Sequence, residues 1–187
     1  GTGSVGIDLG LKDSATTSSG DKLTIKQTLK YAKDLATAQR AKNKQHVKAI
    51  HAKIKNTRQD LIHKFTTQLV KDNALIVVGD VKTTQFNSKK GKLAKSVYDA
   101  GWFELKRQLT YKCKNAGCRF EIVNERYTTQ TCSCCGDMSS SLSGRAGLRI
   151  REWTCVKCDT RHDRDINASK NILAVGLDRL GAGIPSL

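Results

Sequence analysis

The chain has 187 residues, of which 33 are Lys or Arg and 17 are Asp or Glu, so its formal net charge is +16 at pH 7. This length suits one ordinary domain with a small satellite, and the basic excess favours nucleic acid as a partner because Lys and Arg displace counterions from phosphate. No apolar run approaches the roughly 20 residues that cross a bilayer, and the first residues lack the basic and apolar regions of a signal peptide.

The first elements in chain order are short β-strands. Residues 5–10 form an apolar run that ends in turn residues. Residues 14–17 and 22–25 flank the sequence Ser-Ser-Gly-Asp at residues 18–21, which is typical of a hairpin turn. Three consecutive antiparallel strands are therefore predicted.

A long basic helical stretch is predicted over residues 29–71. Its second part carries apolar residues at helical spacing, which predicts one buried face: Val47, Ile50, Ile54, Leu61, Ile62, Phe65 and Leu69. The opposite face carries five cations that either are solvated or contact phosphate: Lys48, Lys53, Lys55, Arg58 and Lys64.

The rest of the chain alternates strands and helices. Residues 74–78 form a continuous apolar run, which is typical of a strand buried on both faces of a sheet. Another strand is predicted at Arg119–Val123. The remaining predicted segments are a mobile basic loop over residues 82–95, a helix over 96–114, an irregular Cys-, Ser- and Gly-rich segment over 128–161, a closing helix over 165–180 and a short tail.

Four of the seven cysteines form two CxxC pairs, Cys132 with Cys135 and Cys155 with Cys158. Each pair aims two thiolates at one point, and together they complete the tetrahedral four-sulfur shell that Zn²⁺ favours. This pattern predicts a closed, structural zinc site in a reduced cytosolic protein, and it argues against a secreted disulfide scaffold. The other three are not expected to be ligands: Cys134 as a spare thiol, Cys113 as a buried small residue and Cys118 as an incidental one.

Cleavage of phosphodiesters with two metal ions requires about three acidic side chains around ions about 3.5–4 Å apart. Asp8 is one candidate, because a lone carboxylate in an apolar strand is unfavourable unless it serves a metal or a hydrogen-bond network. The alternative role for Asp8 is in a turn at the strand end. Asp165, near the start of the closing helix, either binds metal or complements the positive helix N-terminus. Asp163 is assigned to the latter role.

Several motifs occur in an order that resembles a known family. They are Gly-Ile-Asp-Leu-Gly at residues 6–10, the basic helical stretch ending in Asn56-Thr57-Arg58, the knuckle at residues 128–136 and Asp-Arg-Asp-Ile-Asn-Ala at residues 163–168. Together they closely resemble the C-terminal half of TnpB, a family of RNA-guided nucleases encoded by insertion sequences. The resemblance implies a RuvC-type domain of RNase H-like fold, with a zinc ribbon inserted before the last helix. It also implies guide-RNA-directed cleavage of DNA with Mg²⁺ by an Asp, Glu, Asp set.

By motif, Asp8 matches the first acid of that set and Asp165 the third, whereas the second departs from the pattern. The family has Glu followed by Asp at the end of the buried strand, but here Gly79 precedes Asp80. Either the domain is inactive or another acid substitutes. Some members of the wider group, including the eukaryotic Fanzor relatives, use a relocated Glu on the next strand, and Glu125 fits that pattern. The alternative for Glu125 is an ion pair with Arg126 or another surface cation.

The sequence therefore predicts an α/β, RNase H-like fold with a mixed sheet of about five strands. Residues 1–126 and 162–187 would form the RuvC-like domain, and residues 127–161 the zinc ribbon. The expected function is the nuclease module of an RNA-guided DNA endonuclease in the prokaryotic cytoplasm, with DNA and guide RNA as partners. The cofactors would be Mg²⁺ at Asp8, Glu125 and Asp165 and structural Zn²⁺ at the four paired cysteines.

A nuclease-inactive RNA-guided repressor and a zinc-ribbon DNA-binding protein without a guide are the alternatives. Because Gly1 is not an initiator Met, an N-terminal part is expected to be missing.

Overall fold

The computed structural model describes residues 1–81, 100–143, 147 and 149–181. The strands are β1 (Gly3–Asp8), β2 (Ala15–Thr17), β3 (Lys22–Leu23), β4 (Asn73–Gly79), β5 (Arg119–Val123), β6 (Glu152–Thr154) and β7 (Arg161–Asp163). The α-helices are α1 (Gln27–Lys30), α2 (Ala32–Arg40), α3 (Lys44–Asp72), α4 (Trp102–Ala116) and α5 (Arg164–Gly181), with a short 3₁₀ turn at Ser140–Leu142. No described helix combines the length and the apolar character that crossing a membrane requires.

Five strands form one mixed sheet in the order β3-β2-β1-β4-β5. The pairs β1–β2 and β2–β3 are antiparallel, which confirms the predicted succession of three strands. The pairs β1–β4 and β4–β5 are parallel. Parallel neighbours end at the same edge of a sheet, so the chain leaves β1, β4 and β5 at one edge.

The two faces of the sheet are covered by different helices. Ile76 and Val78 of β4 belong to a core that includes residues of α3 and α4. Leu75 and Val77 face the opposite way and pack with Ile172 of α5. Successive side chains of a strand point to opposite faces, which explains why the run in β4 is apolar throughout and confirms that it is buried on both sides.

The same alternation in β1 directs Asp8 toward α5. Ile7 packs into the core with α3 and α4, so Gly6 and Asp8 face the other side of the sheet. A Cβ atom at Gly6 would clash with the carbonyl oxygen of Ser169, so only glycine allows α5 to lie this close to β1. This close approach brings the start of α5 beside the end of β1.

The predicted helical stretch over residues 29–71 is interrupted at residues 41–43. Lys42 adopts a positive φ of 52°, and the side chain of Asn43 accepts a hydrogen bond from the backbone N–H of His46. The helices α2 and α3 therefore fold into a hairpin with a small core of its own, formed by Ala38, Ile50 and Ile54. The predicted apolar face of α3 is confirmed, because Ile50, Ile54, Ile62 and Leu69 are buried.

Four predicted segments lie wholly or partly outside the described residues. These are the basic loop over residues 82–95, with Lys89, Lys90, Lys92 and Lys95, the first residues of the helix predicted over 96–114, four residues of the irregular segment over 128–161, and the tail after residue 181. The described part of that helix, α4, begins at Trp102 and continues two residues beyond the predicted end.

Candidate active site and metal centre

Asp8, Glu125 and Asp165 line one cleft of about 420 Å³. Asp8 is the last residue of β1, Glu125 lies two residues beyond β5, and Asp165 is in the first turn of α5. The parallel pairing of β1, β4 and β5 brings the first two to one edge of the sheet, and the close contact of α5 with β1 brings the third. Three acids that are distant in the sequence therefore share one concave surface.

The environment of Asp8 disfavours an isolated carboxylate. Burial, together with the charges of Asp165 and Glu125, raises the pKa of Asp8 to about 7, although the charge of Arg164 opposes this shift. Mutual repulsion of this kind is relieved when a cation binds among the carboxylates. The donor set and its electrostatics therefore fit a hard divalent cation such as Mg²⁺, which prefers oxygen ligands.

The side chain of Glu125 fills the space next to Gly79. A Cβ atom at position 79 would lie 2.9 Å from Oε2 of Glu125, 3.2 Å from its Cβ and 3.0 Å from Cδ1 of Ile172. Burial raises the pKa of Glu125, with Lys106 opposing and Asp80 adding to the shift. The carboxylate of Glu125 thus occupies the region that a side chain from β4 would otherwise enter.

Asp80 is not among the residues that line the cleft. Its Oδ1 accepts a hydrogen bond from Nζ of Lys106 at 3.1 Å, and its side chain is 47% exposed. Its backbone N–H donates to the carbonyl oxygen of Val123 at 2.7 Å, so pairing between the two strands continues one residue past β4. This geometry agrees with the alternation expected after Gly79.

Arginine contacts at the start of α5 could not be predicted from the sequence. Nη1 of Arg151 lies 3.3 Å from Oδ2 of Asp165, and Arg151 and Arg164 both line the cleft. Asp163 caps the helix by accepting hydrogen bonds from the backbone N–H groups of Asp165 and Ile166. Asp163 therefore has the role at the helix N-terminus that was assigned to it, and the carboxylate of Asp165, paired with Arg151, lines the cleft.

The four cysteines of the two CxxC pairs form a compact cluster, with all four sulfur atoms within 4.8 Å of one another. The Sγ atoms of Cys132 and Cys158 are 3.7 Å apart, and those of Cys135 and Cys155 are 3.6 Å apart. Thiolates about 2.3 Å from one tetrahedral Zn²⁺ would be separated by about 3.8 Å, so the spacing fits this ion. Among the described residues, no set of three or more carboxylates is clustered as tightly.

The chemistry of these thiols also suits a cation. Hydrogen bonds from Thr160 lower the pKa of Cys158 to about 6, which favours its thiolate. Burial raises the pKa of Cys132, and a bound cation would reverse that effect. The remaining cysteines lie outside the cluster, with Cys134 exposed and Cys113 and Cys118 buried elsewhere.

Two protein families match successive parts of the chain. Residues 1–88 match the family described as "Probable transposase", and residues 102–172 match the family "Cas12f1-like, TNB domain". The fold also resembles the protein in the solved structure of a Cas12f1–sgRNA–target DNA complex, with a TM-score of 0.68 and 17% sequence identity. The match covers 90% of this chain and 49% of the Cas12f1 chain. This likeness and the strand order confirm the predicted α/β, RNase H-like fold.

Two similar proteins carry the name "Putative RNA-guided DNA endonuclease". The one from Streptomyces pristinaespiralis is 36% identical over 97% of this chain and 47% of its own length. The other, InsQ of Escherichia coli strain K12, is 31% identical over 96% of this chain and 50% of its own. The chain therefore spans about half the length of these relatives. From these matches we conclude that the chain belongs to the TnpB (OrfB) family.

Proposed function

We propose that this chain is the nuclease part of an RNA-guided DNA endonuclease that hydrolyses phosphodiester bonds with Mg²⁺. The observation that carries the proposal is the meeting of Asp8, Glu125 and Asp165 in one cleft. Carboxylates held by rigid elements around a pair of ions about 3.5–4 Å apart are the usual arrangement for this chemistry. Asp8, Glu125 and Asp165 are less tightly clustered than the four cysteines. This wider spacing suits a pair of ions, because the carboxylates would surround the two ions instead of converging on one point.

In this proposal Asp8, Glu125 and Asp165 hold the Mg²⁺ ions. When bound, these ions activate a water molecule and stabilise the oxygen that leaves phosphorus. Glu125 supplies the carboxylate that Gly79 lacks, and its raised pKa reflects the buried, acidic surroundings that a metal would neutralise. Arg151 acts as a positioning residue, because its guanidinium fixes the orientation of Asp165.

The same proposal gives DNA as substrate and guide RNA as partner. The relatives of this chain are named as RNA-guided DNA endonucleases, and the similar Cas12f1 fold was solved with guide RNA and target DNA. The net charge of +16 suits binding to both polyanions. Because the chain spans about half of its relatives, the rest of the protein would share in binding the guide and the target.

The cysteine cluster would hold one structural Zn²⁺ within a ribbon over residues 127–161. With four thiolate ligands the coordination shell is closed, so this ion would not take part in catalysis. A segment of this size buries little apolar surface, so its folding is expected to depend on the metal.

The test is a Mg²⁺-dependent cleavage assay of the full-length protein carrying its guide RNA. Glu125→Gln keeps the size of the side chain but removes the charge, so it should abolish cleavage and leave the fold and zinc content intact. Asp80→Asn removes a neighbouring acid that is paired with Lys106, so it should have a much smaller effect.

If Asp80→Asn abolished cleavage and Glu125→Gln had the smaller effect, Asp80 would be the second acid of the site. An unmutated protein that binds its target but leaves it uncut would contradict the nuclease proposal. That result would favour the nuclease-inactive, RNA-guided repressor.

A further inference from the structure

Two asparagines on one face of α5 bind the segment that leads into the first zinc knuckle. Nδ2 of Asn167 donates to the carbonyl oxygens of Thr128 at 3.4 Å and Thr131 at 2.8 Å. Nδ2 of Asn171, one helical turn further on, donates to the same two oxygens at 2.8 and 2.7 Å. A carbonyl oxygen has two lone pairs, so this amide pair, Asn167 and Asn171, saturates both carbonyls.

The amide pair also reaches the knuckle itself. Oδ1 of Asn167, a residue only 1% exposed, accepts a hydrogen bond from the backbone N–H of Ser133 at 2.9 Å. Ser133 directly follows Cys132, a member of the cysteine cluster. A change in the position of Cys132 therefore acts on the segment that Asn167 holds.

A second contact joins the cysteine cluster to the start of the same helix. Nε2 of His162 lies 3.1 Å from the sulfur of Cys132. His162 is followed by Asp163, whose carboxylate caps the backbone N–H groups of Asp165 and Ile166. The first turn of α5 is therefore tied to the cysteine cluster at both of its ends.

These contacts lie against the acidic cleft. Thr128, whose carbonyl binds the amide pair, lines the cleft together with Thr129. Asp165 lies two residues before Asn167 on α5. The ribbon also holds Asp165 from the other side, because Arg151 binds its carboxylate and accepts a backbone hydrogen bond from Arg164 at 2.8 Å.

We propose that Asn167 and Asn171 are positioning residues that couple zinc binding in the ribbon to divalent-metal binding in the cleft. The inference rests on the proposed function, since it takes Asp165 as a Mg²⁺ ligand. With zinc bound, residues 128–133 are ordered, and the amide pair then holds the start of α5 and Asp165 in place. Because coupling of two sites is reciprocal, each metal should strengthen binding of the other.

The experiment uses the full-length protein with zinc either present or removed by a chelator. Hydrogen–deuterium exchange reports the order of residues 164–171, and calorimetric titration with Mn²⁺ reports the affinity of the cleft. Zinc removal should increase exchange in these residues, while exchange in the distant helix α3 should not change. It should also weaken Mn²⁺ binding by roughly 5- to 150-fold, the usual range for coupled sites.

Two variants test the amide pair directly. Asn171→Ala removes two donors at a partly buried position, and Lys170→Ala on the same helix is the matched control, because Lys170 is exposed. With zinc still bound, Asn171→Ala should weaken Mn²⁺ binding roughly 10- to 100-fold, as outer-shell changes usually do, and it should reduce the further effect of zinc removal. Lys170→Ala should behave like the unmutated protein.

The inference is overturned if zinc removal leaves exchange in residues 164–171 unchanged, or if Asn171→Ala binds Mn²⁺ as tightly as Lys170→Ala. Failure of the proposed function would be seen separately, in the binding of Mn²⁺ to the unmutated protein. If the unmutated protein does not bind Mn²⁺ at Asp8, Glu125 and Asp165, the nuclease proposal fails, and the exchange comparison still decides whether zinc orders the helix.

Discussion

The carboxylate of Glu125 lies where a side chain from position 79 would extend, only 2.9 Å from the place of a Cβ atom there. Two neighbouring parallel strands end at this edge of the sheet, so either can deliver an acid to the same volume. The segment after β5 can deliver the acid only if the facing position at the end of β4 has no side chain, as is the case at Gly79. At the scale of single residues, Gly79 is therefore as much a part of the proposed site as Glu125.

A pair of variants tests this exchange of positions. Gly79→Glu alone places two carboxylates in one space, so we expect weaker folding and little cleavage, with overpacking costing about 1–3 kcal/mol. The double variant Gly79→Glu with Glu125→Ala vacates that space and should recover part of the activity. Thermal unfolding and a cleavage assay measure both effects. A double variant no more active than Gly79→Glu alone would contradict the idea that the two positions serve one site.

Asp8 gives a second prediction at this scale, in the absence of divalent ions. Its pKa is about 7 in the folded chain against an ordinary value of 3.8, so the folded state binds more protons and stability falls as pH rises between these values. Asp8→Asn removes the buried charge and should raise the unfolding temperature by several degrees at pH 8, from a penalty of at most about 4 kcal/mol.

The pH dependence of this gain serves as the control. The advantage of Asp8→Asn should shrink at pH 5, where the folded carboxyl group is already protonated. Added Mg²⁺ should stabilise the unmutated protein and not the variant, because a ligand stabilises only the state that binds it. A variant less stable than the unmutated protein at pH 8 would show that Asp8 is satisfied by other contacts.

At the scale of elements, β1 and β4 could be predicted from their short apolar runs, and β2 and β3 from the turn residues between them. The break at residues 41–43 could not, because the segment Ala41-Lys42-Asn43 contains no Gly or Pro. The cysteine cluster followed from CxxC spacing alone. The contacts of Arg151 and the amide pair depend on how the ribbon packs on α5, and the contact of Lys106 with Asp80 depends on how α4 packs against the sheet. No local sequence pattern reveals either arrangement.

The ribbon gives a prediction that needs no nucleic acid. Elemental analysis should find about one zinc per chain, since the four sulfurs form one site. Cys155→Ser removes one ligand and should unfold the ribbon and lower solubility. Cys134→Ser is the matched control, because this thiol is exposed and outside the cluster, and it should retain zinc. A Cys155→Ser protein that stays folded without metal would contradict the structural role.

At the scale of the whole molecule, the excess of positive charge dominates. Exposed lysines lie along α3, and the ion pairs found among the described residues do not include Lys48, Lys53 or Lys55. Lys64 on the same helix differs, because its Nζ lies 2.7 Å from Asp60. Long-range attraction to phosphate would therefore involve the first three more than the fourth.

Binding to nucleic acid should accordingly depend strongly on salt. The logarithm of the affinity should fall linearly with the logarithm of salt concentration, and Lys48→Gln with Lys55→Gln should reduce the slope by up to about 1.8 if both contact duplex DNA phosphates. Lys64→Gln should change the slope less, because the charge of Lys64 is already paired with Asp60. An affinity that is flat between low and moderate salt would show that the charge serves another purpose.

The most direct test of the central claim is to locate the metal ions of the cleft. Anomalous diffraction from crystals of the full-length protein soaked in Mn²⁺ would identify each bound ion by its own signal. We predict peaks within coordination distance of Asp8, Glu125 and Asp165, and their loss in crystals of Glu125→Gln. Peaks at Asp80 in place of Glu125, or a cleft without any peak at saturating Mn²⁺, would contradict the account.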